Sequence, residues 1–234
     1  YWFEALIGYV FISLLFAGIF FGSGIATGGT SGESSKDSLV FGFIVWVLIW
    51  QTYHSVGGKV TENTEKGFIE QLFMGDRSFA IQCICKFIAD FIINGVTIIF
   101  LAYLFMLISN NWIDINFPLL LGIVLLGLPA ILGLGFAFAG VSLVFKKAGN
   151  LTILMMFLMV GVVAVDSIQN NLYALLPFAH ASALAEYVIL KGHQFQPRDL
   201  MIIVANSVVY LVAGLLAYGL CEKYSRKNNL IGIY

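Results

Sequence analysis

The stretch PLLLGIVLLGLPAILGLGFAFAGVSLVF, Pro118 to Phe145, holds no charged residue over its whole length. Crossing the hydrocarbon core of a bilayer takes about 20 mostly apolar residues in a helix, so this run is long enough to span one. A transmembrane barrel would instead show alternating segments of about 10 residues. The apolar residues here run on without alternation, as in Leu119 to Leu128 and again in Leu151 to Val165. The composition of the chain agrees. Of 234 residues, 60% are hydrophobic and 11% are charged, against roughly 25% charged in a soluble domain. A soluble fold has no interior large enough to hide that much apolar surface, so the sequence predicts an all-α membrane protein forming a single domain over 1–234.

Outward from this run, five more stretches read as spans: about Tyr1 to Phe21, Ser38 to Tyr53, Phe79 to Leu107, Leu151 to Val165 and Leu200 to Leu220. That makes six transmembrane helices. A Gly/Ser/Thr-rich loop, Gly22 to Asp37, separates the first two. The charged stretch Gly57 to Ser78 follows the second and is too polar for lipid. Between the fifth and sixth spans, Asp166 to Asp199 is too broken to cross, and Tyr173, Leu175, Leu176 and Phe178 suit a membrane interface, as short helices dipping into the outer leaflet. The chain starts at Tyr1, directly in an apolar stretch with no cleavage signature. It reads as a helix rather than a signal peptide, and a preceding segment is expected.

Six spans place alternate loops on one side. One set gathers Lys59, Lys66, Arg77, Lys86, Lys146, Lys147, Lys223, Arg226 and Lys227, while the other gathers only Lys36, Lys191 and Arg198. Cytoplasmic flanks carry the excess of Lys and Arg, so both termini are expected in the cytoplasm of a multi-pass protein of the cell membrane. The net charge of −1 comes from scattered residues with no basic patch, which excludes a nucleic-acid surface. Cys83, Cys85 and Cys221 lie in apolar runs and read as reduced packing residues.

Four groups of residues stand out. In TENTEKGFIEQLFM, Thr61 to Met74, the residues Phe68, Ile69, Leu72 and Phe73 make one apolar stripe on a short helix, with Glu65, Lys66 and Glu70 away from it. Such a helix rests on a bilayer surface or on a protein. Interfacial helices usually carry basic polar faces, so the acidic character favours a protein partner. In the third span, Gln82, Lys86, Asp90 and Asn94 recur every four residues along one face, rising roughly 18 Å. Charged groups within a bilayer cost on the order of 3 kcal/mol each and face a protein interior or a cavity. The stripe is read either as structural pairing of Lys86 with Asp90 or as part of a translocation path or dimer interface. In the fourth span Gly133 and Ala137, and Gly135 and Ala139, are small residues at a spacing that lets helix backbones approach, within the chain or across a dimer. In the segment after the fifth span, Asp166, Pro177, His180 and Glu186 mark the outer region. His180, Glu186 and His193 have no metal-ligand spacing, and no metal site is expected. The Asn-Leu-Thr at Asn150 falls on the cytoplasmic side and is a chance match to a glycosylation acceptor. The sequence has no G-x-x-x-x-G-K-[ST] with which to cradle a nucleotide's phosphates, and no H-E-x-x-H or G-x-S-x-G. No catalytic residue and no bound cofactor is expected.

Three passages carry a family resemblance. EKGFIEQLFMGDRS, Glu65 to Ser78, followed by Lys86, resembles the Glu-x-Gly-x-x-Glu-x-Leu stretch between the second and third helices of ABC-2 type transporter permeases. GLGFAFAGVSLVFKKAGNLTIL, Gly133 to Leu154, is similar to their small-residue helix, basic turn and following helix. LPFAHASALAE, Leu176 to Glu186, resembles their outer motif, with Leu176 where that motif has Asn and with Glu186 placed later. The resemblance covers nearly the whole chain. It implies the membrane subunit of an ATP-binding cassette exporter, paired with a second permease copy or a homologous permease and with two separate ATPase subunits. ATP and Mg would be bound on those partners. It further implies that Thr61 to Met74 contains a cytoplasmic coupling helix that docks on the ATPase, through Glu62, Glu65, Lys66, Gly67, Phe68, Glu70, Leu72 and Phe73. Short extracellular helices would follow the fifth span. The Phe-rich spans suit a hydrophobic or amphipathic substrate such as a drug, lipid, glycolipid or peptide. An intramembrane enzyme using Asp90, Asp166 or His180, or a non-transporting assembly or sensor subunit, is the competing expectation.

Overall fold

The computed structural model describes residues 2–26, 33–67, 79–145, 148–168, 171–194 and 196–228. In chain order these form α1 (Trp2–Ala26), α2 (Glu33–Tyr53), a π-helical turn (His54–Gly58), α3 (Lys59–Glu65), α4 (Phe79–Ser109), α5 (Phe117–Phe145), α6 (Gly149–Ala164), a 3-10 turn (Asn171–Leu175), α7 (Ala179–Leu190) and α8 (Pro197–Lys227). There is no strand among the described residues.

Four helical stretches are long and apolar enough to cross a membrane: Leu6–Ser23, Ser35–Glu65, Phe117–Phe145 and Pro197–Lys227. A fifth is counted if the two halves of α4, Ile81–Ile92 and Gly95–Ser109, bent by 43°, make one span. The remaining expected span, α6, has 16 residues. At 1.5 Å per residue that is about 24 Å, short of the ~30 Å hydrocarbon core. Its end has a local cause. Val165 turns to extended backbone, and Asp166 accepts a hydrogen bond from the Ile168 N–H at 3.0 Å. A side chain bonded to its own backbone this way competes with helix continuation.

The second span differs from its expected limits. The helix does not stop near Tyr53 but runs through the π turn into α3 as a single stretch of 31 residues, Ser35–Glu65. The charged stretch is expected to open at Gly57, yet Gly57 and Gly58 are both buried because the turn presses against α5. A methyl group on Gly57 would stand 3.1 Å from the Gly135 carbonyl oxygen, so glycine lets the two backbones come closer than a side chain would without a shift of a few tenths of an ångström. One turn on, Val60, Thr61 and Thr64 are buried, and the Thr61 and Ser142 hydroxyls meet at 2.7 Å. Thr61 to Glu65 is therefore the end of the second rod rather than the start of a separate helix. The rod stops at Gly67, whose φ of +79° is the left-handed conformation that glycine adopts at helix ends.

Stretches α2 and α5 form the centre, with 72% and 61% of their most apolar windows buried, against 11% for α1 and 17% for α8. Apolar side chains such as Leu14 and Val209 stand exposed on α1 and α8; for a helix in a bilayer, burying such groups yields no hydrophobic gain and association rests on close packing. An aromatic cluster holds α1: Phe16 stacks on Phe105 of α4 at 4.5 Å between ring centroids and meets Phe43 of α2 edge-on at 5.1 Å. The tightest approach is α5 against α8. Gly133 lies against the Tyr210 carbonyl, Gly214 against the Gly133 carbonyl, and a methyl on Gly140 would stand 3.1 Å from the Tyr218 Cα. Helix α8 begins with Pro at its first position, where its fixed φ and missing N–H cost nothing, and it carries Asp199 in its first turn and Arg226 and Lys227 in its last, charges that suit the helix dipole.

Candidate functional site

The residues singled out from sequence fall at the two ends of the bundle and on one face of α4. At the end where α3 stops, Phe68, Glu70, Leu72 and Phe73 lie outside the described residues. Glu62, Glu65, Lys66 and Gly67 are described. The Glu62 carboxylate is held between Lys59 Nζ at 2.7 Å and Lys66 Nζ at 2.6 Å. Glu65 reaches across the chain: its Oε1 accepts a hydrogen bond from the Gly149 N–H at 2.8 Å. Gly149 opens α6, and the residue before it, Ala148, offers no capping side chain. The first N–H groups of a helix have no partner within it, and the helix dipole makes this end attractive to a carboxylate. Glu65 supplies both acceptor and charge from 84 residues away. The brace ties the segment after the second rod to the start of α6.

On α4 the stripe comes together in part. Lys86 Nζ stands 3.0 Å from Asp90 Oδ2, Gln82 is half-buried, and the Asn94 side chain lies outside the described residues. Asp90 borders a crevice of about 10 Å³ shared with Gln51, Thr52 and Ser55 of the second rod. That volume admits one water at most, so the crevice at Asp90 is too small to be an open path. The Lys86 side chain is 49% exposed and lies two turns from the start of α4, where its long stem can carry the ammonium to the headgroups and water, and pairs in such surroundings contribute little. Asp90→Asn is therefore expected to change folding stability by about 1 kcal/mol or less, read as a melting shift of the purified protein. A loss several times larger would make the pair a structural anchor of α4.

At the other end, the four outer residues sit on the segment between α6 and α8. Pro177 is buried, and Phe178 after it takes a left-handed φ of +70°, rare for a bulky residue. Phe178 nevertheless fits, because Gly127 of α5 leaves room for its ring. His180 lies between the Ser167 hydroxyl, 3.1 Å from its Nδ1, and Asp199, whose Oδ1 is 3.5 Å from Nε2. Burial holds its imidazole below the usual range, and the Asp199 carboxylate pulls the other way. The order Ser, His, Asp resembles a nucleophile relay, but Ser167 is fully buried and out of a substrate's reach. The trio instead links the loop after α6 to α7 and to the start of α8.

Asp166 and Glu186 face a cavity of about 430 Å³ between α1, α2, α6 and α7. Asp166 Oδ2 accepts from the Tyr187 hydroxyl at 2.7 Å, and Glu186 Oε1 accepts from the Ser38 hydroxyl at 2.8 Å. The walls are mainly apolar, with Phe43 and Trp46 among them. Sequence reading marks the two carboxylates but not the cavity, because its walls come from four separate helices. The Glu65 brace is equally absent from local pattern; its one signal is a carboxylate near a loop whose following helix, opened by Ala148, lacks its own cap. The four small residues of α5 divide between neighbours: Gly133 faces α8, Gly135 faces the π turn, Ala139 is buried and Ala137 is half-buried. Among the described residues no group of three His, Cys, Asp or Glu side chains is placed to hold a metal ion.

Comparison with curated proteins and with solved structures finds no match. A family model described as ABC-2 family transporter protein matches residues 25–218. This match runs from the end of α1 almost to the end of α8, through the central rod, the small-residue helix and both end regions. The chain belongs to the ABC-2 family of transporter proteins, as a membrane-spanning permease.

Proposed function

We propose that the chain is the permease subunit of an ATP-driven exporter, working with two separate ATPase subunits and a second permease copy or a homologous permease. The observation that carries this is the family match over 25–218 in a chain with no Walker loop of its own. ATP and Mg belong to the partner. The substrate is hydrophobic or amphipathic, and the translocation path runs beside the α4 stripe and the segment after α6. Transport by alternating access requires that ATP binding favour one of two conformations of the permease over the other.

In this reading α1, the rod from α2 to α3, α4, α5, α6 and α8 are six spans. The alternation of ends supports six. The start of α2 meets the end of α4, where Asn111 donates to Asp37 at 2.6 Å, and it meets α7 through Ser38 and Glu186. The end of α3 meets the start of α6 through Glu65 and Gly149. A short α6 is accommodated by local thinning of the bilayer. The Glu65 end carries the excess of Lys and Arg and is the cytoplasmic one, which puts both termini inside and α7 outside. The segment from Glu62 to Phe73 then docks on the ATPase.

Two measurements test this. Reconstituted with its ATPase, the permease moves substrate only when ATP is present, and Glu70→Ala or Phe73→Ala lowers both ATPase co-purification and transport by about tenfold, the loss of one interface anchor, without altering the melting curve. Unchanged association and transport in both variants would remove the coupling role. Turnover of a small molecule by the single chain would favour an enzyme instead.

A further inference from the structure

We propose that Ser167, His180 and Asp199 form a proton-operated joint, which holds α7 to the start of α8 while the imidazole is neutral and parts when the ring takes up a proton. The joint goes beyond the permease reading, which adds only that the proton comes from the outer side. In the neutral ring the hydrogen belongs on Nε2, because Asp199 Oδ1 stands 3.5 Å away and a bare lone pair there would face a negative charge. Nδ1 then accepts from the Ser167 hydroxyl at 3.1 Å, the role left to the second nitrogen of a neutral imidazole. Protonation reverses that contact. The ring now donates to Ser167 Oγ, and the hydroxyl turns its own hydrogen to the Ala179 carbonyl, 3.3 Å away. No hydrogen bond is lost in the exchange, so the fate of the charge decides whether the joint holds.

The site receives a positive charge poorly. The His180 side chain is 6% exposed, its Nε2 is buried and makes no hydrogen bond, and the space beside it, bounded by Gly127, Phe178, Ile203 and Ser207, has no room for a water. Water therefore cannot follow the proton in. Two charged groups act on the ring through space, both on α8: Asp199, which attracts the imidazolium, and Arg198, which repels it. Helix α5 carries no charge between Pro118 and Phe145. On the loop after α6, Asp166 is bonded to the Ile168 N–H and the Tyr187 hydroxyl, and Glu186 of α7 itself is bonded to Ser38. The Asp199 side chain is 22% exposed, so water weakens the one attraction, and burial is the larger effect on the ring. Once parted from α8, the ring meets water and holds a proton up to the ordinary histidine range, near ~6.5. The closed joint holds it only at lower pH, so its stability is whole above that range and is lost as pH falls below it. Phe178, at the head of α7, keeps a left-handed φ of +70°, backbone strain that the closed contacts must hold in place.

The test uses the purified full chain in dodecyl maltoside with its histidine rings carbon-13 labelled. The chain has three histidines, His54, His180 and His193, and the signal lost in His180→Gln identifies the ring. His180 is expected to titrate at least about one pH unit below the ordinary range, a roughly tenfold weaker hold on the proton. Asp199→Asn, which removes the attracting charge, should lower the midpoint further. Parting is read separately. Ser182→Cys exchanges one atom of a side chain on α7 that is 3% exposed, and its modification by a charged methanethiosulfonate is followed by the mass of its peptide. The ratio of rates, His180 over His180→Gln, should rise at least about fivefold from about pH 7.5 to about pH 5.5, the change in parted population that one pH unit of difference produces by linkage. A ring titrating at or above the ordinary range, a rate ratio that stays constant with pH, or a midpoint raised by Asp199→Asn would each overturn the proposal. Should His180→Gln fail to fold, His54→Gln and His193→Gln identify the ring by elimination, and its titration still decides. Neither readout involves the ATPase or transport, so failure of the exporter reading would leave both standing.

Discussion

Replacing Gly214 with Val is expected to remove most of the folded protein. At Gly214 the backbone of α8 lies directly on the carbonyl of Gly133 in α5, and Gly133 in turn lies on the carbonyl of Tyr210. Each glycine is the room the other helix occupies. A Cβ at either position would overlap backbone atoms, which cannot rotate aside as a long side chain can, so the helices must separate along their whole contact. Overpacking a tight core costs about 1–3 kcal/mol when side chains can adjust, and more is expected where only backbone is available. In lipid there is no hydrophobic effect to draw the parted helices together again, since the tails are as apolar as the side chains they would replace. The measurement is the folded fraction on size exclusion and the midpoint of thermal unfolding. Gly122→Ala provides the contrast, since nothing lies within 4 Å of a methyl there, and its higher helix propensity should leave stability unchanged or raised by up to ~1 kcal/mol. Equal behaviour of the two variants would mean that α5 and α8 are not packed as described.

Which parts of this were readable in advance follows from how far each feature reaches along the chain. Spanning helices are local: Phe117–Phe145 is apolar throughout, and the number of residues needed to cross a bilayer is fixed by helix rise. The small residues of α5 are local too, yet their partners are not, and sequence cannot assign Gly133 to α8 and Gly135 to the π turn. The second span is expected to end near Tyr53, ahead of the charged stretch that opens at Gly57, but against a close-packed neighbour the lack of a side chain at Gly57 and Gly58 suits a helix that continues, and here it runs on to Glu65. Composition makes α6 a span, while its length of 16 residues is set by Val165 and Asp166 at its end. At the candidate sites, Asp166 and Glu186 were visible as carboxylates in an apolar setting. Their convergence on one cavity depends on Ser38 and Tyr187, whose roles appear only once α2, α6 and α7 are assembled.

Charge reversal at Glu65 should separate the role that the family resemblance implies for this residue from the one its hydrogen bond to α6 gives it. The family resemblance makes Glu65 part of the surface that meets the ATPase; its partner in the structure is the Gly149 N–H at the head of α6. If the brace is what matters, Glu65→Gln retains an acceptor but loses the charge, worth about 0.3–1 kcal/mol beside a helix N-terminus, and transport should fall up to about fivefold. Glu65→Lys removes the acceptor and sets a cation against the positive end of the helix. Losing a cap costs about 1 kcal/mol, and the dipole contribution changes sign as well, so transport should fall by tenfold or more. In both variants ATPase association should stay within about twofold of wild type, because the contact that is broken lies between two parts of the permease. The opposite outcome is equally readable. If Glu65→Lys lowers association as much as it lowers transport, Glu65 acts at the partner surface and the brace is incidental. The order of effects, Lys worse than Gln in transport with neither changing association, is expected only if force entering near the end of α3 reaches α6 through this one carboxylate.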